Sequence, residues 1–447
     1  MESQENRGGN VAAIATMFAL FFMIAFVTNF AGSMGVIVKN QFGASNTASQ
    51  LGSAANFFAY LFMGIPGGLI LKRKGYKFTS LLAVAIGFIG VGVQLASGYV
   101  ESFPIYVTGA FVAGFSMCLL NLVVNPMLNT LGGEGKKGNQ LVQMGCSLNS
   151  IGATLAPIIL GYLIGGEVAK AKVADAAPAL MIAMALFALA FVIVALSKIP
   201  EPHMETAAER EARLKGGASV LKDVVATLKF RHFTFGALCI FFYIIIECGI
   251  PNMANFYMTE QIPVIGGLAK NGPGYVGAAV AGTVVGLYWF CMMIGRIVGS
   301  AIGGKVSSKA MITFCAVGGI VLLLLAMYLP VSFVELPIKT KVAEVAGVAV
   351  EKNIQIPISM VAMLLCGLCT SVMWGGIFNL AAEGLGKYVP MGSGIFMAMV
   401  FGGVCLPIQG MIADAVGILN SYWLTIGLLA YVLLYAHVLS KPTKRAE

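Results

Sequence analysis

Asn121, Asn125 and Asn129 recur at i, i+4 and i+8 inside the apolar stretch 104–130, and Gln143, Ser147, Asn149 and Ser150 follow in the next stretch. At helical spacing the three asparagines share a face. An amide both donates and accepts, and can form paired bonds to vicinal hydroxyls, so amides around a cavity suit a neutral, hydroxyl-rich ligand. The other use of such groups is bonding between helices, worth about 0.6 kcal/mol per bond. Asn121 and Gln143 read as ligand contacts. Asn125, directly before Pro126, and Asn149 read as structural. Asn29 and Ser33 stand one turn apart earlier in the chain, and Asn29 joins the ligand-contact set.

The segment YIIIECGIPNMAN places Glu247 beside a break at Pro251, with Asn252 and Asn255 beyond it. A helix interrupted in this way frees backbone carbonyls, a recurring device where solutes cross membranes. Glu247 is the only carboxylate deep within an apolar stretch. It reads either as an ion-coupling group or as the structural partner of Arg296, and one residue can serve both ends. Asn252 is a further ligand candidate. Trp289 and Trp374 offer rings that either stack on the apolar face of a pyranose or simply pack, and Trp374 is kept as a contact.

The elements that position these residues must be membrane helices. Of 447 residues, 58% are hydrophobic and 11% charged, with a mean hydropathy of +0.88, more apolar surface than a soluble chain of this length can hide. Stretches such as 78–98, 179–197, 312–329 and 421–438 approach the ~20 apolar residues that cross a bilayer. Twelve spans are expected, near 11–38, 48–71, 78–98, 104–130, 140–165, 176–198, 233–258, 274–303, 309–330, 357–382, 390–413 and 419–439. The apolar run from Val11 is too long for a removable signal peptide, so the first span is expected to remain. With both termini cytoplasmic, twenty of the 28 lysines and arginines lie on the cytoplasmic side and seven opposite, with Arg296 inside a span. The net charge of +9 therefore needs no nucleic acid, because basic residues meet an anionic leaflet.

The charged segment 199–232 divides the chain into an N-terminal six-span half, 1–198, and a C-terminal one, 233–447. That segment reads as a surface amphipathic helix or as a solvated linker. The long connection 331–356, with three lysines, suggests no role. All nine cysteines fall in apolar stretches, and the CxxC pair Cys366 and Cys369 reads as small packing side chains. No metal site and no cofactor are expected. A channel would need a filter motif, and an enzyme a metal or nucleophile cluster; HExxH and GxSxG are both absent. Six spans plus six about a central basic loop is the plan of the major facilitator superfamily, an all-α fold in which two pseudo-symmetric bundles rock about a central site.

A finer resemblance rests on GIPGGLILKRKGYK (64–77), NPMLNTLGGEG (125–135), LNSIGATLAPIILGYLI (148–164), CMMIGRIVGSAIGGKVS (291–307) and the long string from Ile377 to Gly417. These segments resemble the fucose:proton symporter branch of that superfamily, over nearly the whole chain. The resemblance implies twelve helices in two bundles and import of a neutral monosaccharide, such as a hexose, across the inner membrane. It also marks departures. The two carboxylates that handle the proton in the fucose symporter fall here on Gly32 and Asn121. An expected aromatic falls on Ile24, and the fifth-span amide positions fall on Gln143 and Cys146. Glu247 matches a glutamate carried by many sugar-transporting relatives, so proton or sodium coupling is expected to run through it. Other readings are an N-acetylated or acidic sugar as cargo, which would want Arg296 in the cavity, an uncoupled facilitator, an exporter of amphipathic drugs, and a membrane-embedded sugar sensor. A monomer is expected, with sugar and lipid bilayer as its partners.

Overall fold

The computed structural model describes residues 11–27, 37, 41–42, 51–133, 135–163, 173, 176–206, 208, 210–211, 220–258, 278–345 and 348–442. Asn29, with Gly32 and Ser33, lies outside the described residues.

The chain is mostly helical. Helix α1 (Val11–Val27) is followed by α2 (Leu51–Val100), α3 (Phe103–Leu131), α4 (Gly135–Leu163) and α5 (Ala177–Leu196). A short helix, α6 (Val220–Leu228), then precedes α7 (Arg231–Phe256), α8 (Ala278–Gly303) and α9 (Ser308–Tyr328). Helices α10 (Ile358–Thr370) and α11 (Met373–Ala382) follow as one interrupted stretch. Next come α12 (Val389–Ala398), a 3-10 segment (Met399–Cys405), α13 (Leu406–Val416) and α14 (Tyr422–Leu434). Among the described residues, nine helical stretches are long and apolar enough to cross a membrane.

Several of these helices are apolar all round, as residues between protein and lipid must be. In α5, Leu189 and Leu196 are 56% and 81% exposed, and in α9 Phe314 is 80% exposed. In water such surfaces would associate; against acyl chains they are at home.

The stretches expected as spans at 48–71 and 78–98 are two helices that meet at a kink at Gly75, where φ is 82°, a conformation that glycine adopts without steric cost. One expectation is corrected. The fold is not wholly α. Strand β1 (Phe333–Val345) pairs antiparallel with β2 (Val348–Pro357), so the connection 331–356 is a hairpin. Its alternating stretch FVELPIK carries β-branched and aromatic residues, a strand-like period that was legible there.

Tight approaches bring α2 against α12. A Cβ on Gly64 would lie 2.6 Å from the Gly394 carbonyl oxygen, and one on Gly68 would lie 2.7 Å from that of Pro390. Small residues permit such contact where lipid supplies no hydrophobic drive for association.

Candidate functional site

Between α7 and α8 lies an ion pair: Arg296 Nη2 is 3.0 Å from Glu247 Oε1, with side-chain exposures of 9% and 13%. The same carboxylate oxygen accepts from Tyr243 Oη at 2.8 Å, one turn earlier on α7. Pro251 has no N–H for the carbonyl four residues back, which is that of Glu247. Tyr288 Oη of α8 takes that place at 3.1 Å, and also pairs with Thr370 Oγ1 at 2.9 Å. The Ile250 carbonyl also accepts a bond from outside its helix, from Tyr422 Oη at 2.9 Å.

Arg296 reaches beyond its own neighbours. Its Nη1 donates to Ser150 Oγ at 2.7 Å, to the Cys146 carbonyl at 3.4 Å and to Asn149 Oδ1 at 3.5 Å, all on α4. Its Nε donates to the Ser371 carbonyl at 3.3 Å, where α10 ends. One guanidinium thus ties α4, α7, α8 and the α10–α11 break together, using the fork of donors that a lysine lacks.

A second chain of bonds runs from α11 to α2. Trp374 Nε1 donates to Asn125 Oδ1 at 3.2 Å, and Asn125 Nδ2 donates to the Asn121 carbonyl at 3.0 Å. Asn121 Nδ2 donates to Tyr60 Oη at 3.1 Å and to the Met117 carbonyl at 3.0 Å. The Trp374 ring packs 6.0 Å from Phe396 and 6.3 Å from Tyr243. Gln143 is fully buried; its Nε2 donates to the Val372 carbonyl at 2.9 Å, while its Oε1 has no partner among the described residues. Asn149 Nδ2 holds the Phe21 carbonyl at 3.1 Å.

Asn121, Asn125, Gln143, Asn149, Trp374, Glu247 and Arg296 therefore belong to linked networks. Asn252 sits half-buried on α7, next to Pro251. Asn129 does not join them: its side chain packs on Gly138, where α4 begins. Eight residues of helix rise about 12 Å, so a shared face does not mean a shared site. Sequence reasoning missed Tyr60, Tyr243, Tyr288 and Thr370. The spacing of Tyr243 and Glu247 (i, i+4) was an available signal for one of them.

A further polar cluster gathers at the basic kink of α2, around Gly75. Lys72 Nζ is 2.8 Å from Asp223 Oδ2 of α6, with side-chain exposures of 22% and 29%. Glu201 accepts from the backbone N–H groups of Tyr76 and Lys77, the latter at 2.9 Å, and Tyr76 Oη lies 2.7 Å from His203 Nδ1. Burial raises the Glu201 carboxyl and the two backbone donors lower it, with burial the stronger; burial pushes His203 down to about 4. Lys136 Nζ donates to the Lys305 carbonyl at 2.9 Å, joining α4 to the end of α8.

The chain matches the Major Facilitator Superfamily over residues 16–338. It belongs to that family. It is 27% identical to the glucose/galactose transporter of Brucella abortus (strain 2308) over 442 residues, 98% of this chain and 96% of that one. It is 22% identical to the L-fucose-proton symporter of Escherichia coli (strain K12), across 91% of this chain and 88% of that one. A crystal structure of the E. coli fucose:proton symporter FucP superposes with a TM-score of 0.77 at 19% identity, covering 97% of this chain and 100% of the other. The proton:xylose symporter XylE superposes at 0.65 and 14% identity. These likenesses show the major facilitator fold.

Proposed function

We propose that this chain is a secondary transporter that imports a neutral monosaccharide, such as a hexose, by proton symport with alternating access. The observation that carries the reading is Arg296, which pairs with Glu247 on α7 while bonding Ser150 and the Cys146 carbonyl on α4. The names borne by the relatives, glucose/galactose transporter and L-fucose-proton symporter, support the cargo and the coupling.

The architecture in this reading is twelve spans in two six-helix bundles, 1–198 and 233–447, joined by 199–232. They sit in the inner membrane with both termini on the cytoplasmic, lysine-rich side, and the unit is a monomer. No cofactor takes part, and the reading makes the chain a carrier rather than an enzyme. Asn29, Asn121, Gln143, Asn252 and Trp374 contribute hydrogen bonds and a stacking face for the sugar. Gln143 Oε1 is the best-placed acceptor, since a buried acceptor without a partner gains most from a ligand hydroxyl. Asn125 and Asn149 hold helices together.

Coupling runs through Glu247. As a carboxylate it anchors Arg296, and with it the contact between α4 and α8. Protonation removes the charge that holds the guanidinium, so Arg296 can leave α4 and the two halves can separate. A proton bound more tightly in one access state than in the other biases the equilibrium, which is what symport requires. Sodium is less well served here. The carboxylate oxygen faces a guanidinium, and the Glu247 and Ile250 carbonyls near Pro251 are engaged by Tyr288 and Tyr422. An acidic sugar would have to displace Glu247 from Arg296, so a neutral one fits better.

The test is uptake of a panel of labelled sugars into proteoliposomes with proton and sodium gradients imposed separately. A hexose should accumulate under the proton gradient alone. Glu247→Gln should abolish accumulation and retain counterflow exchange. Accumulation persisting in Glu247→Gln would assign coupling to another residue, and wild-type equilibration without accumulation would mean a facilitator.

A further inference from the structure

The nine-residue helix α6 ends at Leu228, and the span α7 begins at Arg231, so α6 must lie at the boundary where the chain enters the bilayer. Around its axis the residues fall into three sectors. Leu221, Val225 and Leu228, at i, i+4 and i+7, form one stripe and are 68%, 45% and 40% exposed. Lys222 and Lys229, both exposed, lie together roughly 90° round from that stripe. Asp223 and buried Thr227 occupy the opposite side, where Asp223 holds Lys72. The helix is therefore fixed to the protein by one side and presents an apolar stripe with a lysine edge on the other. Exposed Arg231 opens the span just beyond, its guanidinium 5.5 Å from the Phe235 ring.

We propose that α6 is an interfacial membrane helix. Leu221, Val225 and Leu228 seat among the upper acyl chains of the leaflet on the lysine-rich side, and Lys222, Lys229 and Arg231 bind anionic phospholipid headgroups. Exposed leucine and valine on so short a surface helix are costly in water and favourable in the acyl boundary, and charge complementarity selects the headgroup. A second copy of the chain would bury the same stripe without a reason for the lysine edge. Because Asp223 grips α2 beside its Gly75 kink from the other side, the lipid surface and the Lys72 contact are held by opposite faces of one helix.

Photo-crosslinking tests this independently of transport. The chain carrying benzoylphenylalanine at Val225 is reconstituted in vesicles with equal phosphatidylglycerol and phosphatidylcholine in both leaflets, irradiated and weighed intact. Phospholipid adducts are expected, with phosphatidylglycerol favoured at least about fivefold, the preference that one basic residue at the surface supplies. Combined Lys222→Gln, Lys229→Gln and Arg231→Gln should bring the two lipids to near-equal yield. The same probe at Leu228 repeats the measurement if the first variant does not fold. A crosslinked dimer, a protein without lipid adducts, or an unchanged lipid ratio in the glutamine variant would overturn the proposal.

Discussion

Glu247 and Arg296 keep 13% and 9% of their side-chain surface, whereas Lys72 and Asp223 keep 29% or less but at least 22%. Both pairs join one helix to another, and their N–O distances differ by only 0.2 Å, at 3.0 and 2.8 Å. What separates them is what surrounds the charges. The inner pair has replaced its hydration with Tyr243, Ser150, Asn149 and three carbonyls, counting those of Cys146 and Ser371 on Arg296 and that of Thr370 on Tyr243. The outer pair still meets solvent. Geometry alone therefore says little about energy; the cost of leaving one partner alone says more.

The inner pair should show the largest effect. Removing the guanidinium leaves a carboxylate enclosed without its counter-charge, so Arg296→Ala should lower stability by about 3–5 kcal/mol, or lower the yield of folded protein. Replacing both, as Arg296→Leu with Glu247→Leu, should recover much of that loss, because no orphan charge remains. Thermal unfolding in one detergent, with all variants side by side, reads this out. A single variant with wild-type stability would remove the distinction between the two regions. Selective loss of an anionic cargo in a stable Arg296→Ala protein would instead favour a sugar acid.

The amides come next. Asn121→Ala and Gln143→Ala should each weaken sugar binding by about 1–3 kcal/mol, the range for a hydrogen-bonding group lost from a buried site, while the protein stays folded. Equilibrium binding of the transported sugar measures it. Unchanged affinity in both would confine these side chains to helix packing, alongside Asn125 and Asn149.

How far these residues could be read from the sequence differs by kind. Apolar length exposed the helices, and the single deep carboxylate and the single deep guanidinium could be matched to each other before any coordinates. The amide cluster was legible as a cluster, but not which member would separate, since Asn129 turns to Gly138 only one turn away from the Trp374 bond to Asn125. Tyr60 was invisible: tyrosines in apolar stretches are usually packing, and nothing local ties position 60 to 121. The Gly75 break was readable only as a basic turn, because glycine reports permission for a positive φ, not its use. The hairpin at 333–357 shows the limit of assuming that a long connection in a helical chain lacks regular structure.

Beside the Gly75 kink, His203 gives a pH-dependent effect of intermediate size. Its folded-state value is about 4, below the ordinary 6.5, so between these values the unfolded chain binds the proton that the folded chain refuses. Stability is fully present above about 6.5 and falls as pH drops toward 4, by on the order of 1–2 kcal/mol. Glu201 runs the other way: its raised value contributes stability at low pH that is lost as pH climbs through it. His203→Gln should therefore flatten the acid side of the profile and leave the wild-type stability near pH 7.5 within a few tenths of a kcal/mol, apart from the lost Tyr76 bond. A thermal-melt series from pH 4.5 to 7.5 decides it; equal slopes in both proteins would exclude His203 as the source.

The smallest effect is expected from Lys72 and Asp223. Water at their exposed sides already solvates both charges, so the pair gains little over its separated state, and holding two side chains in one geometry costs entropy. A double-mutant cycle with Lys72→Met, Asp223→Asn and the combination should give a coupling of about 0.2–1 kcal/mol. That coupling should shrink between 0.05 and 0.5 M salt, because exposed charges are screened over a few ångströms at high ionic strength. The same cycle on Arg296→Leu and Glu247→Leu should give a coupling several times larger and nearly independent of salt, since ions do not reach an enclosed pair. Salt dependence is thus the sharper test of the contrast, for it does not rely on either absolute energy. If the Lys72–Asp223 coupling proved large and salt-resistant, that pair too would have to be excluded from water, and α6 would have to lie under the membrane surface rather than along it.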